Sequence, residues 1–243
     1  MERALDLLFV LEKFEHPMGV SDLGRAADIP KATAQRLLAV LERRGLVQKE
    51  QARYQLGAGI VPLARAFLTG SSLTRSALPA LEELALLSGE TTCLYVRQGF
   101  DRVVVQRVES EHTVRYAIRT GQRLPLYVGA AGLVLAAAMP AEELRTMSQD
   151  AGAVRLSTGE TRSPDQLLAT LDQVRLRGFA VSVEEREAGV ISVAAPVTVR
   201  GRGTIAAISV AGPPNRMSQE RVEYLTAEVR RIARQIAESY SSL

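Results

Sequence analysis

The chain has 243 residues, 30 Lys and Arg against 27 Asp and Glu, and a formal net charge of +3. With 47% hydrophobic and 23% charged residues, it has the composition of an ordinary globular protein, which excludes the disordered, fibrous and low-complexity classes. The length exceeds one typical domain and points to one small and one larger domain, and the mild net charge names no partner by itself.

The first residues, MERALDLLFVLEKFE, carry acidic groups through the apolar stretch and no small-residue cleavage site, which argues against a signal peptide and leads to the expectation of a cytoplasmic protein. Ala4, Leu7, Leu8 and Leu11 share one helical face, so Glu2 to Glu15 reads as an amphipathic helix. Ser21 is the expected N-cap of a short second helix carrying Leu23, Ala26 and Ala27 inward. Asp28-Ile29-Pro30 breaks that helix, because the residue before a proline is pushed out of the helical region and proline suits a first turn. A third helix from Lys31 to Arg44 turns Leu37, Leu38 and Leu41 inward, and Gly45 ends it. Leu46-Val47 and Tyr54-Gln55-Leu56, with the polar turn from Glu50 to Arg53 between them, read as a hairpin.

Helix, helix, turn, helix, hairpin is the order of a winged helix-turn-helix, whose third helix enters the major groove by its N-terminal part. Lys31, Thr33, Gln35 and Arg36 stand there. Gln pairs with adenine, Arg or Lys with guanine, and the Thr methyl with a thymine methyl. Between Lys31 and Arg53 the basic residues Lys31, Arg36, Arg43, Arg44, Lys49 and Arg53 face only Glu42 and Glu50, so positive charge gathers where phosphates would lie. The candidate DNA contacts are Ser21, Lys31, Thr33, Gln35, Arg36 and, on the wing, Arg53.

Beyond residue 57, a linker helix is expected over Ile60 to Phe67, with Pro62 near its start and Gly70-Ser71-Ser72 allowing a bend. A helix over Leu73 to Leu87 precedes strands at Thr91 to Arg97, Arg102 to Val108 and Thr113 to Ile118, with a turn at Gln98 to Asp101. Cys93 is the single cysteine, so no intrachain disulfide can form, and its apolar setting reads as a core strand. The apolar run Val128 to Met139 is too short to cross a bilayer and reads as a buried helix over Gly129 to Ala138. Helices at Ala141 to Ser148 and Pro164 to Arg177, strands at Phe179 to Val183, Val190 to Val199 and Thr204 to Val210, and a closing helix from Ser218 to Tyr240 complete an α+β chain. The domains expected are 1–57 for DNA binding, 58–72 as a linker helix and 73–243 for sensing and oligomerisation.

The stretch GVSDLGRAADIPKATAQRLLAVLERRGLVQ from Gly19 to Gln48, followed by YQLG to Gly57, resembles the DNA-binding half of the IclR family of transcription regulators. The resemblance continues through TGQRLPL (Thr120 to Leu126), GAAG (Gly129 to Gly132), RGFAVSVEEREAGVISVAAPV (Arg177 to Val197) and AAISVAGPPNRMS (Ala206 to Ser218). It implies a C-terminal GAF-like effector domain, a homodimer that can pair into a tetramer, and control of operator binding, repression more than activation, by a small organic acid.

Gly129 to Gly132 opens an apolar helix with residues small enough to bring backbone N–H groups close to an anion, or simply to pack the helix on a sheet. The resemblance favours anion binding at Gly129 and Ala130, and by motif it places Ser192, Ser209 and Ala211 in the effector pocket. Leu124, with Leu126 and Tyr127, is a candidate wall and equally a candidate core residue. Members that sense very small keto acids carry Cys at the place of Ser192, an acid at Ser182 and a second serine at Ala211, so the expected effector is a larger, less polar acid, aromatic in the first instance.

Catalysis is not expected. His16 and His112 stand apart, no nucleophile or phosphate-loop motif occurs, and Glu184, Glu185 and Glu187 read as a solvated loop rather than a metal site. No cofactor, metal or membrane is expected. A module that binds another protein and no DNA is the remaining alternative, disfavoured by the basic third helix.

Overall fold

In a computed structural model of the protein, which describes residues 1–14 and 16–242, the contacts gather into two compact units, Met1–Gly70 and Ser71–Leu243.

The first unit holds α1 (Glu2–Phe14), β1 (Met18–Gly19), α2 (Val20–Ala26), α3 (Lys31–Arg43), β2 (Val47–Glu50), β3 (Arg53–Leu56) and α4 (Ile60–Gly70). The helical spacing of Leu7 and Leu11 on α1 and of Ala34, Leu38 and Leu41 on α3 buries one stripe of each helix against Leu23, Val47 and Tyr54. The turn between α2 and α3 is tight: the Ile29 N–H donates to the Gly24 carbonyl at 2.7 Å, and a Cβ on Gly24 would stand 2.7 Å from the Ile29 carbonyl oxygen. Only glycine fits there. The strands form a small sheet in the order β1-β3-β2, and the whole is a winged helix-turn-helix.

One detail differs from expectation. Gly19 is the N-cap of α2, so Ser21 lies inside the first turn, exposed, and caps nothing. The extended pair of β1 with β3, Met18 opposite Tyr54, starts α2 earlier than a side-chain cap would. The expected extension of the first helix to Glu15 falls outside the described residues.

The second unit begins with α5 (Ser72–Ser88), whose N-cap Ser71 accepts from the Thr74 N–H. It continues with β4 (Thr91–Gln98), β5 (Asp101–Val108), β6 (Arg123–Pro125), α6 (Ala130–Ala137), α7 (Ala141–Ala151), β7 (Val154–Arg155), β8 (Thr161–Arg162), α8 (Pro164–Arg177), β9 (Ala180–Val183), β10 (Ile191–Val199), β11 (Gly203–Gly212) and α9 (Gln219–Ser241). Six strands make one antiparallel sheet in the order β6-β5-β4-β11-β10-β9, and β7 pairs with β8 apart from it. Period-two alternation divides this sheet between two cores. Leu94, Val105, Val193, Ile208 and Val210 pack with α5 and α9, while Cys93, Tyr95, Val104, Ala194, Ala207 and Ala211 face α6, α7 and α8. Cys93 is thus a core residue, and burial pushes its thiol pKa up to about 12.

The expected strand at Thr113 to Ile118 does not form. Side chains replace the ladder: the Val114 carbonyl accepts from Arg216, the Tyr116 carbonyl from Thr91, and the Ile118 carbonyl from Arg107. The place beside β5 is taken by β6, a strand of three residues. Arg216 also holds the buried Glu90 carboxylate through Nε and Nη2, so one guanidinium anchors both this segment and the start of β4.

At the tip of the wing, Gln51 and Ala52 have φ of +46° and +67°, the primed geometry that joins twisted strands in two residues. A Cβ at φ +67° is strained. Ala52→Gly is therefore expected to raise stability by about 1 kcal/mol, read as a higher urea midpoint with an unchanged slope. An unchanged or lower midpoint would contradict the geometry.

Candidate functional site

On the first unit the N-terminal part of α3 is open. Pro30 precedes the helix, Lys31, Gln35 and Arg36 are exposed, and Thr33 is half-buried against the domain. Among the described residues no carboxylate pairs with Lys31 or Arg36, so both cations are available to an outside anion. On the wing, Arg53 is exposed but one guanidinium nitrogen donates to the Pro17 carbonyl at 3.1 Å, which ties it to the segment entering β1. Lys49 lies over the Tyr54 ring at 5.5 Å.

On the second unit a recess of about 380 Å³, counted with its open mouth, lies between α6 and the sheet face that carries β9, β10 and β11. Register builds its floor: Ser192 stands opposite Ser182 on one side and Ala211 on the other, and the next row holds Ala194, Ser209 and Cys93. Ser182, Ser192, Ser209 and Ala211 therefore share one face because their strands alternate in phase. Ser209 and the Tyr95 phenol both line the recess. Burial raises the pKa of Tyr95 and Tyr116, so both phenols keep their protons and remain donors.

The N-terminal turn of α6 closes the recess, with Gly129 at φ +77° as a cap that has no side chain to satisfy the first amides. Arg102 lies against that turn. A Cβ on Gly129 would stand 3.2 Å from its Nη2, and one on Gly132 would collide with Nη1 and with the Leu126 carbonyl oxygen. Arg102 is 3% exposed, and its Nη1 donates to the carbonyls of Pro125 and Val128, the latter at 2.9 Å. Its guanidinium stands 5.6 Å from the Tyr95 ring centre. At the mouth, Arg186 donates to the Tyr116 hydroxyl at 2.8 Å and pairs with Glu187 at 2.5 Å.

Gly129, Ala130, Ser192, Ser209 and Ala211 all line this recess. Leu124 does not: it pairs opposite Arg102 on β5 but is buried in the core, where Leu126 is also buried and Tyr127 packs. Tyr95, Arg102, Tyr116 and Arg186 line the recess and were not read from the sequence as site residues, so its inner end is more polar than the missing family polar groups suggested. Arg102 left a signal, since it stands in phase with Val104 on an alternating strand where an apolar residue belongs. Arg186 left none inside its charged loop. The acidic cluster there is dispersed: Glu185 pairs with Arg162 at 2.6 Å, Glu184 accepts from the Gly189 N–H, and Glu187 holds Arg186. Among the described residues no group of three or more His, Cys, Asp or Glu could hold a metal ion, and no helix is long and apolar enough to cross a membrane.

Comparison with known proteins matches residues 1–51 to the IclR helix-turn-helix domain and residues 65–238 to the bacterial transcriptional regulator IclR C-terminal domain. The HTH-type transcriptional repressor AllR of Escherichia coli K12 is 30% identical over 239 residues, covering 98% of this chain and 88% of that protein. Among solved structures, an IclR homolog from Microbacterium hydrocarbonoxydans complexed with 4-hydroxybenzoate is similar with a TM-score of 0.79 and 25% identity, covering 99% of this chain and 98% of that one. The IclR transcriptional regulator of Alicyclobacillus acidocaldarius shares the fold with a TM-score of 0.83 at 22% identity, covering 98% of this chain and 96% of that one.

The close approach at Gly132 makes a direct test of the recess. Gly132→Ala forces a methyl between Arg102 and the Leu126 carbonyl and is expected to cost about 1–3 kcal/mol, measured as a lower urea midpoint. Stability equal to the wild type would mean that α6 does not approach β5 so closely.

Proposed function

Since the chain belongs to the IclR family of bacterial transcription regulators, DNA-binding proteins and not enzymes, we propose that it is a repressor whose operator affinity is set by a small organic acid. The observation that carries this reading is the pairing of an open, basic α3 on one unit with a small polar recess under an uncapped helix N-terminus on the other. Lys31, Thr33, Gln35 and Arg36 read the major groove, Ser21 touches a phosphate from the first turn of α2, and Arg53 reaches a phosphate or the minor groove from the wing. The repressor relative supports repression.

In the recess, the α6 amides after Gly129 take a carboxylate, while Ser192 and Ser209 bond further polar atoms of the acid. An aromatic acid is the favoured class, supported by the phenol rings of Tyr95 and Tyr116 on its walls and by the 4-hydroxybenzoate complex of a structural relative. The active species is a homodimer, or a pair of them. α4 supports this, for it buries no residue in the single chain and leaves Val61 and Leu63 more than half exposed, an apolar face suited to a second copy.

Fluorescence anisotropy with DNA from upstream of the protein's own gene, at two salt concentrations and with non-specific competitor, tests the reading. The wild type should bind tightly and lose affinity steeply with salt. Arg36→Ala should weaken binding by about 1–3 kcal/mol if it reads a base, or lower the salt slope by about 1 if it holds a phosphate. Unchanged affinity and slope would remove α3 from the groove.

A further inference from the structure

The recess holds a charge that the protein does not balance. Arg102 is buried, its Nε has no hydrogen-bond partner, and among the described residues no carboxylate pairs with it. Its two hydrogen bonds go to the neutral carbonyls of Pro125 and Val128. The guanidinium also lies against the N-terminal turn of α6, the positive end of a helix dipole, where a cation is repelled. Burial accordingly depresses its pKa. An unpaired cation in such a place is costly in the free protein, and an anion that it shares with the α6 amides would remove the cost.

The remaining charges on the recess cancel. Arg186 is matched by Glu187 at 2.5 Å, and the other lining residues are neutral, which leaves a net charge of one positive unit. Around that unit the walls are hydroxyls, two phenol rings and the side chain of Val190.

We infer that Arg102 is the charge receptor of the effector site and restricts the effector to a monoanion with an uncharged body, a monocarboxylate rather than a dicarboxylate, an amide or a sugar. One carboxylate oxygen lies against the Arg102 guanidinium and the other against the free amides at the start of α6. The body of the acid then occupies the space between Tyr116, Val190 and the serines. A second carboxylate would meet Glu187 at the mouth. The inference rests on the reading of the recess as an organic-acid site and adds to it the residue that selects the charge.

The test is the melting temperature of the full chain, wild type, Arg102→Gln and Arg102→Lys, with three probe sets: acetate, benzoate and 4-hydroxybenzoate; their amides; and malonate and terephthalate. At a hundred times its dissociation constant a bound monoanion should raise the wild-type Tm by about 5 °C. Its amide and the dianion of matching shape should bind about 10- to 100-fold more weakly. Arg102→Gln should lose the response to the acid, and Arg102→Lys, which keeps the charge, should retain part of it. If Gln at this position prevents folding, the acid-to-amide ratio on the wild type and the response of the Lys variant decide the matter. An amide or dianion that matches the acid, or an acid response that survives in Arg102→Gln, overturns the role of Arg102 and leaves the organic-acid reading standing. A wild type that responds to none of the acids overturns both.

Discussion

The phase of alternation across β4, β11 and β10 is the constraint on which the second unit depends. β11 is central, and its residues from Ala206 to Gly212 are divided between two cores: Ile208 and Val210 meet α5 and α9, while Ala207, Ser209 and Ala211 meet the other helices. Because side chains repeat every two residues, a slip of one position would carry the serines into the apolar core and the branched residues into the recess. The same phase on β10 and β9 sets Ser192 and Ser182 beside Ala211. Large residues on one face and small ones on the other therefore do two tasks together, packing one helical layer closely and leaving room under the other.

Into that room the chain places charge. Arg102 reaches the N-terminal turn of α6 only because Gly129 and Gly132 have no side chains to exclude it. The contrast with Arg216 is informative. Arg216 is held by the buried carboxylate of Glu90 and fastens the irregular segment after β5, so it stabilises the empty protein. Arg102 lines the recess, bonds only to carbonyls and keeps an unpartnered Nε. One guanidinium is complete without a ligand; the other, buried, is not.

Much of this was legible in the sequence. The stripes of α1 and α3, the start of α3 after Pro30, α8 with its proline first turn and the strands from Ala180 to Gly212 follow from helical spacing, proline geometry and alternation. What escaped depends on partners distant in sequence. The segment Thr113 to Ile118 alternates like a strand, yet its carbonyls are taken by Arg216, Thr91 and Arg107, donors that no local pattern announces. β6 is three residues long and exists only because β5 offers it an edge. Gly129, Ala130, Ser192, Ser209 and Ala211 line the recess, while Leu124, read as a candidate wall, is buried in the core. The arginines were missed because a charge on a strand or in a loop reads as solvated until its burial is known.

On the proposed function, the recess would act through its influence on the DNA-binding unit. The leverage of any effector is limited to its difference in affinity between the DNA-competent state and the other. A buried cation that exchanges no partner for a carboxylate gives a large change in local free energy on binding, and so a source for that difference. The most direct measurement is a crystal structure of the protein with 4-iodobenzoate, located by the anomalous signal of iodine. The account predicts the carboxylate against Arg102 and the first amides of α6, with the iodine towards Tyr116 and the mouth. Iodine found only outside this recess, or a carboxylate turned away from Arg102, would contradict it.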